Sequence, residues 1–172
     1  MEYLKSKIRD VADFPQKGVL FKDLTTAFKD ARALHILGWD LSQLYRDKGV
    51  TKVVGIESRG FICGSILAFE LGAGFVPVRK PGKLPADTLK LSYKKEYGTD
   101  TIEMHRDAIT SDDIVVMHDD VLATGGTMAA ACELVKQMHP KKIYINCIIE
   151  LTALNGRAAL PADVEVSSLL KY

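Results

Sequence analysis

Asp112-Asp113-Ile114-Val115-Val116-Met117-His118-Asp119-Asp120-Val121-Leu122-Ala123-Thr124-Gly125-Gly126-Thr127-Met128 is the stretch on which the reading of the chain turns. Residues 114–117 are an apolar, β-branched run, the pattern of a strand buried on both faces of a parallel sheet. The carboxylates Asp119 and Asp120 are expected to stop that strand. A Gly/Thr turn follows at residues 123–127, and residues 128–137 are rich in helix formers. The order is strand, acidic pair, turn, helix.

This order suits a sugar phosphate. Glycines allow φ > 0, so backbone N–H groups can curl inward around an anion. A helix N-terminus adds free N–H donors and partial positive charge. The hydroxyls of Thr124 and Thr127 supply further donors. The carboxylates just before the cup accept hydrogen bonds from paired hydroxyls, which fits a ribose 2′,3′-diol. Other phosphate motifs fit less well. An ATP-type loop needs Lys-Ser or Lys-Thr after the last glycine, and here Thr127-Met128 follows. The dinucleotide pattern G-x-G-x-x-G is absent. An ordinary strand-to-helix turn remains the plain alternative.

Composition narrows the field. A chain of 172 residues suits one domain with a sizeable core. A net charge of +1 gives no bulk attraction for nucleic acid or an acidic membrane. Any anion preference must therefore be local. Cys63, Cys132 and Cys147 are far apart in apolar runs, as expected of buried thiols in a reducing compartment. The four histidines show no metal-ligand spacing. The N-terminus lacks a signal-peptide core, and no apolar run spans a bilayer. A cytoplasmic protein is expected, without nucleic-acid or membrane partners.

Outward from the central stretch, residues 2–9 predict a short amphipathic helix. Pro15 and Gly18 mark residues 13–23 as a loop. That loop either tucks Phe21 into the core or presents an aromatic face and backbone edges to a flat ligand. Asp23-Leu24-Thr25-Thr26 caps a short helix, and residues 31–45 form a longer one. Residues 52–56 are a second buried strand, ending in Glu57-Ser58-Arg59-Gly60 before an apolar helix over 61–71 closed by Gly72. Arg59 is either a solvated charge or an anion ligand at a strand's carboxyl end. Residues 74–78 are a third strand running into Arg79-Lys80-Pro81-Gly82-Lys83-Leu84-Pro85, a basic loop able to cover an anion. Residues 89–93 and 101–105 alternate as two exposed strands joined by a hairpin-like tip at 94–98. Residues 141–150 are the last strong strand, and 151–172 hold a short helix and a closing extended segment. The whole predicts an open, mostly parallel α/β sheet flanked by helices, with a small antiparallel excursion. Glu57, Arg79 and Asp119 all fall at strand ends, where such sheets bind ligands.

Residues 116–127 resemble the phosphoribosyl-diphosphate (PRPP) motif of the type I phosphoribosyltransferases. His118 stands where that family usually has an apolar residue, and reads as a strand residue packed beside the site. Over nearly its whole length the chain resembles the adenine-specific branch of the family. The match runs through Asp13-Phe14-Pro15, Gly18-Val19-Leu20-Phe21-Lys22-Asp23, Gly55-Ile56-Glu57-Ser58-Arg59-Gly60-Phe61 and the basic loop. It continues through Ser92-Tyr93, Glu96-Tyr97-Gly98 and Glu150-Leu151-Thr152. Each piece is weak alone, and their order makes the match specific.

The resemblance implies one domain over residues 1–172, with 1–30 as a base-binding hood, 50–150 as the core sheet and a flexible-loop hairpin. It implies transfer of the phosphoribosyl group of PRPP to adenine N9, giving AMP and diphosphate, a purine-salvage reaction. Ala123, Thr124, Gly125, Gly126 and Thr127 would hold the 5′-phosphate, and Asp119 and Asp120 the ribose hydroxyls. Ser58, Arg59 and Gly60 would bind diphosphate with Arg79, Lys80 and Lys83. Leu20, Phe21 and Lys22 would hold adenine. Mg²⁺ would arrive on PRPP, with no direct protein ligand, and the basic loop implies a homodimer. Glu96, Arg59 and Tyr97 would be the catalytic residues: Arg59 neutralises the leaving diphosphate, while a lid bearing Glu96 and Tyr97 excludes water and Glu96 relays a proton.

Rivals on the same fold are an enzyme for a 6-oxopurine or orotate, and a PRPP-sensing regulator. The 6-oxopurine enzymes commonly carry an aspartate where this chain has Ala123. A regulator usually adds a DNA-binding domain, for which this chain has no room.

Overall fold

Residues 114–122 form the central strand of a five-stranded parallel sheet, in a computed structural model that describes residues 1–94 and 98–172. The sheet order is β4 (Gly74–Val78), β3 (Lys52–Ile56), β7 (Ile114–Leu122), β8 (Lys142–Glu150) and β9 (Glu165–Lys171). Both faces are covered, which explains the unbroken apolar runs. Alternate residues go to opposite cores, as a strand's period of two requires. Val53 and Val116 join Leu37, Leu41, Cys63 and Leu67, under α3 (Ala31–Gln43) and α4 (Gly60–Leu71). Val54, Val115 and Met117 join Ala131, Leu134 and Ile145, under α5 (Gly126–Lys136). The antiparallel hairpin of β5 (Thr88–Lys94) and β6 (Thr99–His105) lies against α5 on this second side.

Four expectations change. The acidic pair does not stop β7. Its ladder to β8 continues through Asp119↔Cys147, Val121↔Ile149 and Leu122↔Glu150. Long-range pairing overrides the poor strand propensity of aspartate. The first helix is shorter than 2–9: α1 ends at Ser6, and Arg9–Ala12 is a strand, β1. The supposed loop contains its partner, β2 (Leu20–Asp23). Cross-strand charges hold this ribbon. Asp10 sits opposite Lys22 with their charged groups 2.7 Å apart, and Arg9 sits opposite Asp23 and pairs with it. Gly18 makes the turn at φ +88°, its N–H donating to Asp13 Oδ1 at 2.7 Å. Finally, β6 is not an exposed strand: Ile102, Glu103 and Met104 are buried, because the hairpin folds onto α5.

The chain closes with two 3₁₀ turns, Thr152–Leu154 and Gly156–Ala159, before β9 pairs parallel with β8. The short helix α2 (Thr25–Phe28) starts from Leu24 without a side-chain cap at that position, while Asp23 Oδ1, one residue earlier, accepts from the Thr25 N–H. Among the described residues, no helix is long and apolar enough to cross a membrane.

Candidate functional site

The carboxyl ends of β3, β4 and β7 open into one cavity of about 380 Å³, lined by residues of the turns after β3 and β4, of β7 itself, of α5 and of the hairpin. Glu57, Ser58 and Arg59 come from the β3–α4 turn, and Arg79 and Lys80 from the loop after β4. Asp119 and Asp120 come from β7 and Thr127 from α5. These segments meet because parallel strands put their carboxyl ends on the same edge.

Beside the cavity, residues 123–128 enclose a smaller hollow of about 90 Å³, the candidate phosphate cup. Gly125 has φ +83°, so the turn needs glycine there. A Cβ at Gly125 would also lie 2.2 Å from Gly156 O, which is backbone and cannot swing away. Gly156 has the reciprocal problem, with a Cβ falling 2.1 Å from Ala123 O. The cup is therefore braced by the 3₁₀ turn at 156–159. That turn is in turn held by Arg157, which donates to buried Glu150 at 2.6 and 2.8 Å. These bonds hold the Glu150 carboxyl at about 2, well below its usual value. A Cβ at Gly126, by contrast, meets open space. The first-turn amides of α5 have no partner within the helix, and the residues that carry them, Gly126, Thr127 and Met128, line this hollow.

The acidic pair sits between cup and cavity. Asp120 is buried and forms an ion pair with Arg59. Asp119 Oδ1 accepts from the Asp120 N–H at 2.8 Å. Burial, and then the charge of Asp120, push the Asp119 carboxyl well above its usual range. Gly60 allows the start of α4 to touch this strand, since a Cβ there would lie 2.9 Å from His118 O and 3.0 Å from Asp119 Oδ1.

The basic loop is held by carboxylates. Glu57 accepts from Arg79 at 3.2 and 3.3 Å and from the Lys80 N–H at 2.8 Å. Burial opposes ionisation of Glu57, but the Lys80 and Arg79 bonds outweigh it and its pKa is lowered. Lys80 also pairs with Asp100 of β6. Lys83 is exposed and does not line the cavity, and its carbonyl accepts from Arg79 at 3.1 Å.

The N-terminal ribbon meets the site at Arg59. The Arg59 guanidinium lies 5.1 Å from the Phe21 ring centroid, and Phe14 meets Phe21 edge-on at 5.1 Å. Phe21 is half-buried and belongs to neither core, so it is not tucked inside. Leu20 is exposed. The Lys22 ammonium turns to Asp10 and lies 4.1 Å over the Tyr172 ring. Glu96 and Tyr97 lie outside the described residues. Two polar residues that line the cavity were assigned no ligand in the sequence reading, Glu57 and Tyr93. Tyr93 was legible as the third inward position of the Leu89, Leu91, Tyr93 alternation.

His118 is fully buried on β7, its Nδ1 2.7 Å from Asn146 Oδ1 on β8. Burial pushes its pKa down to about 4, so the ring is neutral. It packs beside the site, as expected, and does not line the cavity. The three cysteines are free and buried, and burial raises their thiols to about 12, 11 and 12.

Residues 26–167 match the phosphoribosyl transferase domain family. The chain is 59% identical over 169 residues to the adenine phosphoribosyltransferase of Bacteroides thetaiotaomicron, covering 98% of this chain and 96% of that protein. The crystal structure of adenine phosphoribosyltransferase from Rhodothermus marinus superimposes with a TM-score of 0.93 at 51% identity, covering 99% of this chain and 97% of that one. The Giardia lamblia enzyme, solved with 9-deazaadenine, gives 0.93 at 42% identity over 98% of this chain and 96% of that one.

Proposed function

Since the chain belongs to the phosphoribosyl transferase family, and within it to the adenine phosphoribosyltransferases, we propose that its cavity transfers the phosphoribosyl group of PRPP to adenine N9, releasing diphosphate and forming AMP for purine salvage. The observation that carries this reading is the meeting of Arg59, Asp119-Asp120 and Thr127 at one cavity, with the glycine cup adjoining it.

The cup takes the 5′-phosphate on backbone N–H groups and on the hydroxyls of Thr124 and Thr127. Asp119 and Asp120 accept from the ribose hydroxyls. The bond from C1′ to diphosphate breaks with oxocarbenium character, and negative charge grows on the departing oxygens. Arg59 lies where it can exchange Asp120 for that charge, with Arg79, Lys80 and Lys83 approaching from the basic loop and Ser58 and Gly60 offering turn donors. Mg²⁺ prefers one or two carboxylates plus phosphate oxygens. Asp119, Asp120 and Glu57 are hard oxygen donors at the cavity, while no cluster of three metal-ligating side chains occurs among the described residues. This donor set fits an ion carried in by PRPP, and such an ion supplies neutralisation of diphosphate.

Adenine enters at the hood. Phe21 stacks on its face, while the Leu20 C=O and the Lys22 N–H read its edge. In a two-stranded ribbon, every second residue turns its backbone groups away from the partner strand. Leu20 and Lys22 share one parity, which supports their acting together. A carbonyl there accepts from the 6-amino group of adenine and would face the oxo group of hypoxanthine unpaired. Glu96 and Tyr97 remain the proposed lid, with Glu96 relaying the adenine proton.

The chain acts as one domain over residues 1–172, with residues 1–30 as hood, in the cytoplasm and as a homodimer. The dimer is supported by Ile62, Ile66 and Phe69, an i, i+4, i+7 stripe on α4. Ile66 is the residue a Cβ at Gly38 would meet, which packs the stripe beside α3. Phe69 is 84% exposed and Ile62 39%, which leaves an apolar patch that a second copy could cover. The test is AMP formation from adenine and PRPP with Mg²⁺, run beside hypoxanthine, guanine and orotate. Turnover of adenine alone is expected, and a preference for any other base overturns the reading.

A further inference from the structure

Tyr93 is a polar cavity residue to which the proposed mechanism gives no task. It lies on β5 in phase with Leu89 and Leu91, and all three pack against the core under α5. Its hydroxyl leaves that core and ends 3.0 Å from Thr127 Oγ1, in the first turn of α5. The same hydroxyl is 3.4 Å from Asp100 Oδ2 on the facing strand, and Asp100 pairs with the Lys80 ammonium. A run of polar groups thus joins the basic loop to the cup through the hairpin.

Counting protons gives that run a direction. A phenol and a threonine hydroxyl each carry one proton, and both oxygens accept. When Tyr93 donates away from Thr127, as to Asp100, Thr127 gives its proton to Tyr93 Oη. When Tyr93 donates to Thr127 Oγ1, Thr127 keeps its proton for an oxygen in the cup. An ionised phosphate accepts hydrogen bonds strongly, so it favours the second arrangement.

We propose that Tyr93 is a positioning residue for PRPP, turning the Thr127 proton toward the 5′-phosphate and tying that contact to the β5–β6 hairpin. The inference rests on the reading of residues 123–127 as the 5′-phosphate cup. It makes the Tyr93 hydroxyl matter more for PRPP than for adenine, because that hydroxyl meets Thr127 in the cup.

Steady-state kinetics on Tyr93→Phe, Thr127→Val, Thr127→Ser and the two double variants tests this. Tyr93→Phe keeps the ring in its packing. Losing one neutral hydrogen bond should raise the PRPP KM about two- to tenfold, with the adenine KM unchanged. Tyr93→Phe should add nothing in the Thr127→Val background and should cost again in Thr127→Ser, which retains the hydroxyl. An unchanged PRPP KM in Tyr93→Phe overturns the proposal, as does a rise shared by adenine, which would mark Tyr93 as general packing. An equal cost in the Val and Ser backgrounds overturns the coupling and leaves the cup standing. An unchanged PRPP KM in Thr127→Val removes the cup reading itself and the inference with it.

Discussion

The turns after β3 and β7 have the same plan, a buried strand opening into a helix N-terminus on neighbouring strands, but they are built from different material. The β3–α4 turn works with side chains: Glu57 holds Arg79 and Lys80, and Arg59 holds Asp120. The β7–α5 turn carries no charge between Ala123 and Thr127 and works with backbone. Its shape depends on Gly125 and on a distant turn pressed against it. Charge held in ion pairs can be exchanged for a ligand that arrives and leaves, which suits diphosphate. A backbone cup cannot rearrange cheaply, which suits a phosphate that stays on the sugar from substrate to product.

The largest effect should come where the turns meet. Asp119→Asn with Asp120→Asn removes two charge-assisted acceptors, each worth roughly 1.5–3 kcal/mol, or about two to four decades of kcat together. A folded double variant with near wild-type kcat would break the ribose role. Asp119→Asn alone carries a pH signature. The Asp119 pKa is raised in the folded chain. Its contribution to stability is therefore full below the unfolded value and is lost as pH rises through the folded one. The melting temperature of Asp119→Asn minus that of the parent should climb as pH rises through that window, and a difference that falls contradicts the raised pKa.

Gly125→Ala should strike the backbone turn. The φ of +83° and the Gly156 carbonyl together impose a cost of about 1–3 kcal/mol, a few degrees of melting temperature for a chain of this size. PRPP affinity should fall as well. Gly126→Ala, entering open space, should leave the melting temperature unchanged. If both variants melt alike, the bracing by residue 156 is wrong.

Phe21→Ala probes the side-chain turn, since Phe21 touches Arg59. Base–aromatic stacking of roughly 1–3 kcal/mol predicts a rise of about one to two decades in the adenine KM. Preference for adenine should survive, because backbone groups still read the edge. An unchanged KM would remove Phe21 from the base site. The smallest effect is expected for Lys22→Ala. Its side chain points to Asp10 and Tyr172, so adenine should remain preferred over hypoxanthine. Opening the enzyme to hypoxanthine would show that the Lys22 side chain reads the base.

Elements with strong periodicity were legible locally. Residues 52–56 and 74–78 fall on β3 and β4 as expected, and the α4 helix starts one residue early. The cup was legible because glycine and threonine after a buried strand carry their own physics. The hood ribbon was not, since its strands are short and polar and are held by charges that pair only once the chain turns back. The continuation of β7 through Asp119 and Asp120 was hidden too, because the ladder to β8 that extends it is absent from local propensity.

The sequence by itself therefore determined the strand–turn–helix units, the donors and acceptors at their ends, and the edge on which they meet. Only the tertiary structure decided how those groups are held. Arg59 and Asp120 are 61 residues apart and become an ion pair across two strands. Gly125 is required as much by the Gly156 carbonyl as by its own φ. Tyr93 reaches Thr127 because the hairpin folds onto α5. Local patterns record what a segment can form, whereas these contacts depend on which surfaces the sheet brings to within a few ångströms.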